Sequence, residues 1–190
     1  MIKVGLAGED PNDTLSIKNL LEKRYSKKVL FCQLAKRSMG YQLDNPKIKR
    51  SLPIEFASAN CDFILYIRDL DALRSDKLKL KAKLDWFKDL DAAINKKGIL
   101  LLNIWELEAL ILGDMATFNK LYKVSHKFKG DPMFEDKPKE TLKNLTFKSQ
   151  KQFKESHCPE IFKQLDIDLV EKNCSCFRDF IAQFNNKISL

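Results

Sequence analysis

The chain has 190 residues, 44% of them hydrophobic and thirteen of them phenylalanine, and carries a formal net charge of +8. That length suits one α/β domain with a substantial core rather than two full-sized domains, and the apolar content excludes a disordered chain. No apolar run approaches about eighteen residues and the amino-terminal stretch lacks the layout of a signal peptide, so the expected location is cytoplasmic and no membrane contact is expected. The segment 2–8, short, apolar and rich in strand formers, reads as a first strand and runs into "GEDPNDT". Beyond Thr14 the spacing of Leu15, Ile17, Leu20 and Leu21 turns helical, which predicts a helix over 13–25. Asp10 or Asp13 suits the N-cap of that helix and Pro11 its first turn, which leaves Glu9 without a structural task.

A second strand is expected over 28–34. The stretch 35–50 is basic, polar and interrupted by Gly40 and Pro46, and reads as a loop, with a short helix expected over 52–60. A third apolar run, 61–67, ends in Arg68-Asp69-Leu70-Asp71. Residues 76–96 alternate like a strand in "KLKLKAKL", but Leu80, Leu84, Phe87 and Leu90 share a helical face, and length without Gly or Pro decides for helix, stopped at Gly98. A fourth run, 99–104, leads into a helix expected from Trp105 to Gly113, followed by Asp114, a capping acid or a functional one. Four short apolar runs separated by helices predict a four-stranded, mostly parallel sheet flanked by helices, in a core over 1–114. Residues 115–190 read as a helical extension packed on that core as one structural unit, closed by an amphipathic helix bearing Phe177, Phe180, Ile181 and Phe184.

The five cysteines, including the closely spaced Cys174 and Cys176, lack the ligand spacing of a zinc site, where about two to four residues intervene, and are expected to be reduced and buried. Between positions 18 and 50 ten basic residues face two acids, which favours an anionic polymer as partner. The acids gather elsewhere. Glu9 follows the first strand, Asp69 and Asp71 the third, and Glu106 and Glu108 the fourth. In a parallel sheet these ends share one edge, where ligands collect. Converging carboxylates repel unless a cation sits among them, and Mg²⁺, which prefers hard oxygen ligands, is the simplest such cation.

The blocks "GEDPNDT", "ILYIRDLDA", "NIWELEALILGD" and "CSCFRDFIAQF" resemble the toprim fold, the metal-dependent phosphodiester module of type IA topoisomerases, primases and OLD-type nucleases. They look like the successive blocks of a bacterial toprim-like family of unknown function. The first block of that family reads like Glu-Gly-x-Thr-Glu. Glu9 fits its first acid, Asp13 stands near its second, and Asp10 replaces the glycine.

The resemblance implies a Mg²⁺- or Mn²⁺-dependent nuclease acting on DNA or RNA, of the kind found in anti-phage defence. Asp69 and Asp71 would be metal ligands, and Glu9 a proton-transfer residue or a further ligand. Glu106 or Glu108 would complete the catalytic set. Two residues apart on a helix they lie roughly 200° around its axis, so only one should face the metal, and Glu106, nearer the strand, is preferred. Arg68 and the basic loop residues Lys36, Arg37, Lys47, Lys49 and Arg50 would hold the nucleic-acid backbone by charge. The alternative is a non-catalytic toprim-like subunit that binds nucleic acid or a partner ATPase, since the chain has no phosphate-binding Gly-x-x-x-x-Gly-Lys loop. An oligomer is compatible with either reading.

Overall fold

The computed structural model describes residues 1–34 and 43–189. Lys36 and Arg37, expected to contact nucleic acid, lie outside the described residues. Strand β1 (Ile2–Gly8) leads into helix α1 (Pro11–Tyr25), β2 (Val29–Gln33), α2 (Pro46–Ser58), β3 (Phe63–Asp69), α3 (Lys77–Ala93) and β4 (Gly98–Asn103). The four strands form one all-parallel sheet in the order β2-β1-β3-β4. Parallel strands joined by helices are covered on both faces, which is why they lack apolar–polar alternation. In β3, Phe63, Leu65 and Ile67 enter the larger hydrophobic cluster, while Ile64 and Tyr66 enter a second one on the opposite face.

Helices α2 and α3 cover the second face. The first is covered by α1 and by the carboxyl-terminal helices: α4 (Ala109–Leu112), α5 (Met115–Tyr122), α6 (Pro138–Thr146), α7 (Cys158–Gln164), α8 (Ile167–Asn173) and α9 (Ser175–Ile188). Helix α7 is pinned to α1 where Asn19 Nδ2 donates to the Pro159 carbonyl at 2.8 Å and Lys23 Nζ donates to the carbonyls of Lys163 and Gln164. The Phe stripe of α9 is core, as its spacing predicts: Phe184 lies 4.9 Å from Tyr25 and 5.8 Å from Phe63, ring centre to ring centre. One hydrophobic cluster therefore runs through both parts of the chain. All five cysteines are free. Among the described residues no helix is long and apolar enough to cross a membrane.

Three local expectations need correction. Helix α2 begins at Pro46, six residues earlier than read from the sequence, because Asn45 caps it by accepting from the Lys47 N–H at 2.9 Å. Pro46 occupies the first helical position, where its missing N–H costs nothing, so it is a start signal and not a break. Lys47, Lys49 and Arg50 are thus helical residues. Secondly, Trp105 and Glu106 are not helical. The backbone at 103–104 is engaged by β3's continuation, with Leu70 N–H donating to the Asn103 carbonyl at 2.9 Å and Ala72 N–H to that of Ile104 at 3.3 Å. Only α4, four residues long, then forms before Asp114 opens α5 as a buried cap. Thirdly, Gly98 begins β4 instead of ending α3. A Cβ there would meet Asp91 Oδ1 at 2.6 Å and a ring carbon of Tyr66 at 2.7 Å, so the close approach requires glycine.

Candidate active site

Because all four strands point the same way, their carboxyl ends lie on one edge, and the register sets what meets there. Gly8 pairs with Ile67, and Asp69 with Asn103. Glu9 therefore emerges beside Arg68 and accepts from its Nε at 2.6 Å. Asp10 caps α1 by accepting from the Asn12 N–H at 2.7 Å, Pro11 follows at the first helical position, and Asp13 sits in the first turn. Glu106 and Glu108 lie in the turn ahead of α4, held by i to i+3 bonds.

These segments enclose a cavity of about 290 Å³. Glu9, Asp10, Asn12 and Asp13 line it from the β1–α1 junction, Asp69 and Asp71 from the end of β3, and both Glu106 and Glu108 from beyond β4. The carboxyl-terminal part adds Lys139, Glu155 and Cys158. The helical-wheel argument that only one of Glu106 and Glu108 can face this site fails, because neither is on a regular helix.

The charges are unequally compensated. Burial, then Glu108 and Asp10, push Asp13 up to about 7. Burial likewise brings Glu108 to about 7 against the opposing pull of Lys139. The carboxyl of Asp69 is raised well above the usual range by burial, although Asn103 Nδ2 donates to its Oδ1 at 2.9 Å. Lys139 Nζ stands 3.2 Å from Glu106, 4.0 Å from Glu108 and 4.0 Å from Glu155. Burial works against that ammonium, but Glu108 and Glu106 outweigh it and keep it charged. Lys83 Nζ bridges Glu9 and Asp71 at 3.6 Å each. The Cys158 thiol, pushed up by burial and by Glu108, stays protonated and points to Glu108 Oε1 at 3.9 Å.

Arg68 is buried. Its guanidinium donates to both Asp44 oxygens at 2.8 and 2.7 Å as well as to Glu9, and it lies 4.3 Å from the Trp86 ring centre. It organises acids within the protein and offers no free fork to a phosphate, contrary to the role expected for it. Lys47, Lys49 and Arg50 are exposed on α2 and do not line the pocket, and Lys49 pairs with Asp89 at 3.0 Å.

Asn103, Lys83, Lys139, Glu155 and Cys158 were missed in the sequence. Asn103, a polar residue ending an apolar strand level with Asp69, left a readable signal. Lys139 left none, being brought back by the fold from a lysine-rich segment.

By donor chemistry the site fits a hard divalent cation: its acidic side chains offer oxygen donors, and behind Asp69, outside the pocket lining, Asn103 Oδ1 is buried with no hydrogen-bond partner. Among the described residues, no three His, Cys, Asp or Glu side chains already stand together as a metal-ligand group. No curated protein and no solved structure matches the chain. A family profile described as "Domain of unknown function (DUF4276)" matches residues 9–185, from the first pocket acid into the last helix, and the chain belongs to that family.

Proposed function

We propose that the protein is a divalent-metal-dependent phosphodiester hydrolase of the toprim type, acting on DNA or RNA with Mg²⁺ or Mn²⁺. One observation carries this reading. Acids from the ends of β1, β3 and β4 line a single pocket at the carboxyl edge of a parallel sheet, and three of them are held above their ordinary range by burial that nearby cations do not offset. Glu9, Asp69 and Asp71 are the residues that would hold the cation. A bound Mg²⁺ supplies neutralisation of phosphate charge and a water of lowered pKa. The chain's own groups do the rest. Asp13, titrating near neutrality, takes and returns a proton at its carboxyl oxygens, while Glu9 is ion-paired to Arg68. Asn103 fixes the orientation of Asp69, and Lys139 and Lys83 hold Glu106, Glu9 and Asp71 in place.

The test is cleavage of labelled DNA and RNA with Mg²⁺, Mn²⁺ or EDTA, run beside calorimetric metal titration of the parent and of Asp69→Asn. The expected result is metal-dependent cleavage, lost in the variant together with a fall in metal affinity of about tenfold or more. A second reading is favoured by the ion pairs of Arg68, Lys83 and Lys139, which already brace the acids. On that reading the pocket is structural, in a non-catalytic subunit that binds nucleic acid or a partner ATPase. A parent protein that shows no heat on metal titration and no cleavage would establish that reading and overturn the first.

A further inference from the structure

A second cavity, of about 510 Å³, opens between the end of α5 and the loop after α6. Lys123, Lys148 and Lys151 line it with Tyr122, Ser149 and Gln150, and no carboxylate does. All three lysines are exposed, and among the described residues none makes an ion pair. Lys151 Nζ lies 5.1 Å from the centre of the Tyr122 ring. The wall is built rather than loose. Thr146, fully buried, accepts from the Phe153 N–H at 2.8 Å while its hydroxyl donates to the Leu142 carbonyl at 3.0 Å. Gln152 closes the loop by donating to the Phe147 carbonyl at 3.1 Å. Beside Lys148, Phe147 is 70% exposed, an aromatic ring left in water at the head of a basic loop.

Uncompensated lysines held in one concavity repel one another, and an anion removes that cost. The neighbouring His157 registers the same field, being held below its ordinary value by burial and then by Lys151 and Lys154. Tyr122 also joins this cavity to the acidic pocket. Its hydroxyl meets His157 Nδ1 at 2.9 Å, and the next residue, Cys158, lines the pocket. Lysines with an exposed aromatic ring form the combination that holds single strands, charge tracking the backbone and the ring stacking a base.

We infer that this cavity, with Phe147, is the docking surface for single-stranded nucleic acid. The choice of a nucleic acid over another phosphate-bearing partner rests on the hydrolase reading.

The experiment measures fluorescence anisotropy of a labelled oligothymidylate of about 20 nucleotides, longer than a footprint of roughly 4–16, with the full chain in EDTA at several salt concentrations. Lys148→Gln/Lys151→Gln is expected to weaken binding about tenfold and to flatten the salt slope by about 1.4, or about 0.7 per lost contact. Phe147→Ala is expected to weaken binding about tenfold with the slope unchanged. A charge-matched Lys81→Gln/Lys88→Gln change on α3 should alter neither. Failure of the oligonucleotide to bind, parent-like binding by the loop variants, or a silent Phe147→Ala overturns the inference. So does a defect seen only on phosphatidylserine vesicles. Cleavage is scored separately. A loop variant that loses binding in a protein that never cleaves removes the hydrolase and keeps the surface, whereas a cleaving protein indifferent to the loop changes does the reverse.

Discussion

The acidic pocket and the lysine-lined cavity are linked through the Tyr122–His157 hydrogen bond and Cys158, yet they carry charge in opposite ways. In the pocket, Asp13, Asp69 and Glu108 are largely buried, and Arg68, Lys83 and Lys139 cross-brace the acids around them. In the cavity the lysines are exposed and unpaired, and the loop that bears Lys148 and Lys151 is held by the neutral hydroxyl of Thr146. The first set is held by ion pairs within the protein and the second is not. Charge that is not needed for folding remains available to a ligand.

The contrast is broken most severely at Arg68. Replacing it with Ala leaves Glu9 and Asp44 facing each other's field and uncovers Trp86. The expected loss is about 3 kcal/mol in urea denaturation at neutral pH, at the low end for breaking a buried pair because Asp44 is half exposed. A loss below about 1 kcal/mol would make these ordinary surface pairs.

The next effect depends on pH. Asp13 and Glu108 titrate near 7 in the folded chain against ordinary values of 3.8 and 4.5, so the folded state binds protons more tightly than the unfolded one. Their contribution to stability is complete below the unfolded values and is lost as pH rises through about 7. Metal-free protein should therefore lose stability between roughly pH 4 and pH 8, and Lys139→Met should steepen the loss. The variant is expected to be about 2 kcal/mol less stable than the parent near pH 8 and to approach it near pH 5, where Glu108 is protonated in both. Thermal unfolding across that range in EDTA checks it, and a pH-independent difference would remove Glu108 as the cause.

The smallest effect sharpens the comparison from the other side. Lys148→Gln/Lys151→Gln should change stability by no more than about 0.5 kcal/mol, measured in the same urea series. A larger loss would mean that the cavity lysines also serve the fold.

Much of the architecture was legible in local pattern. The four apolar runs, the helix after "GEDPNDT" and the Phe face of α9 each follow from periodicity and capping, which act within a few residues. Glu9, Asp69, Asp71, Glu106 and Glu108 could be marked because parallel topology sends every strand end to one edge. Where local signals compete, the sequence misled. Pro46 reads equally as a breaker or a first helical residue, and the capping side chain of Asn45 decides it. Trp105 to Gly113 has a helical composition, but β3's continuation claims the backbone at 103–104 first.

The sequence by itself determined the sheet, its parallel connections and the edge where the acids lie, because those depend on the order and spacing of apolar runs. Only the tertiary structure decided how each charge is used. Arg68 turned inward to Glu9 and Asp44, Lys139 returned to Glu106 and Glu108, and three lysines without ion pairs gathered around Tyr122. Electrostatic partnership falls off within a few ångströms, and the positions that meet at that range, such as Glu108 and Lys139, are set by the packing of helices far apart in the chain.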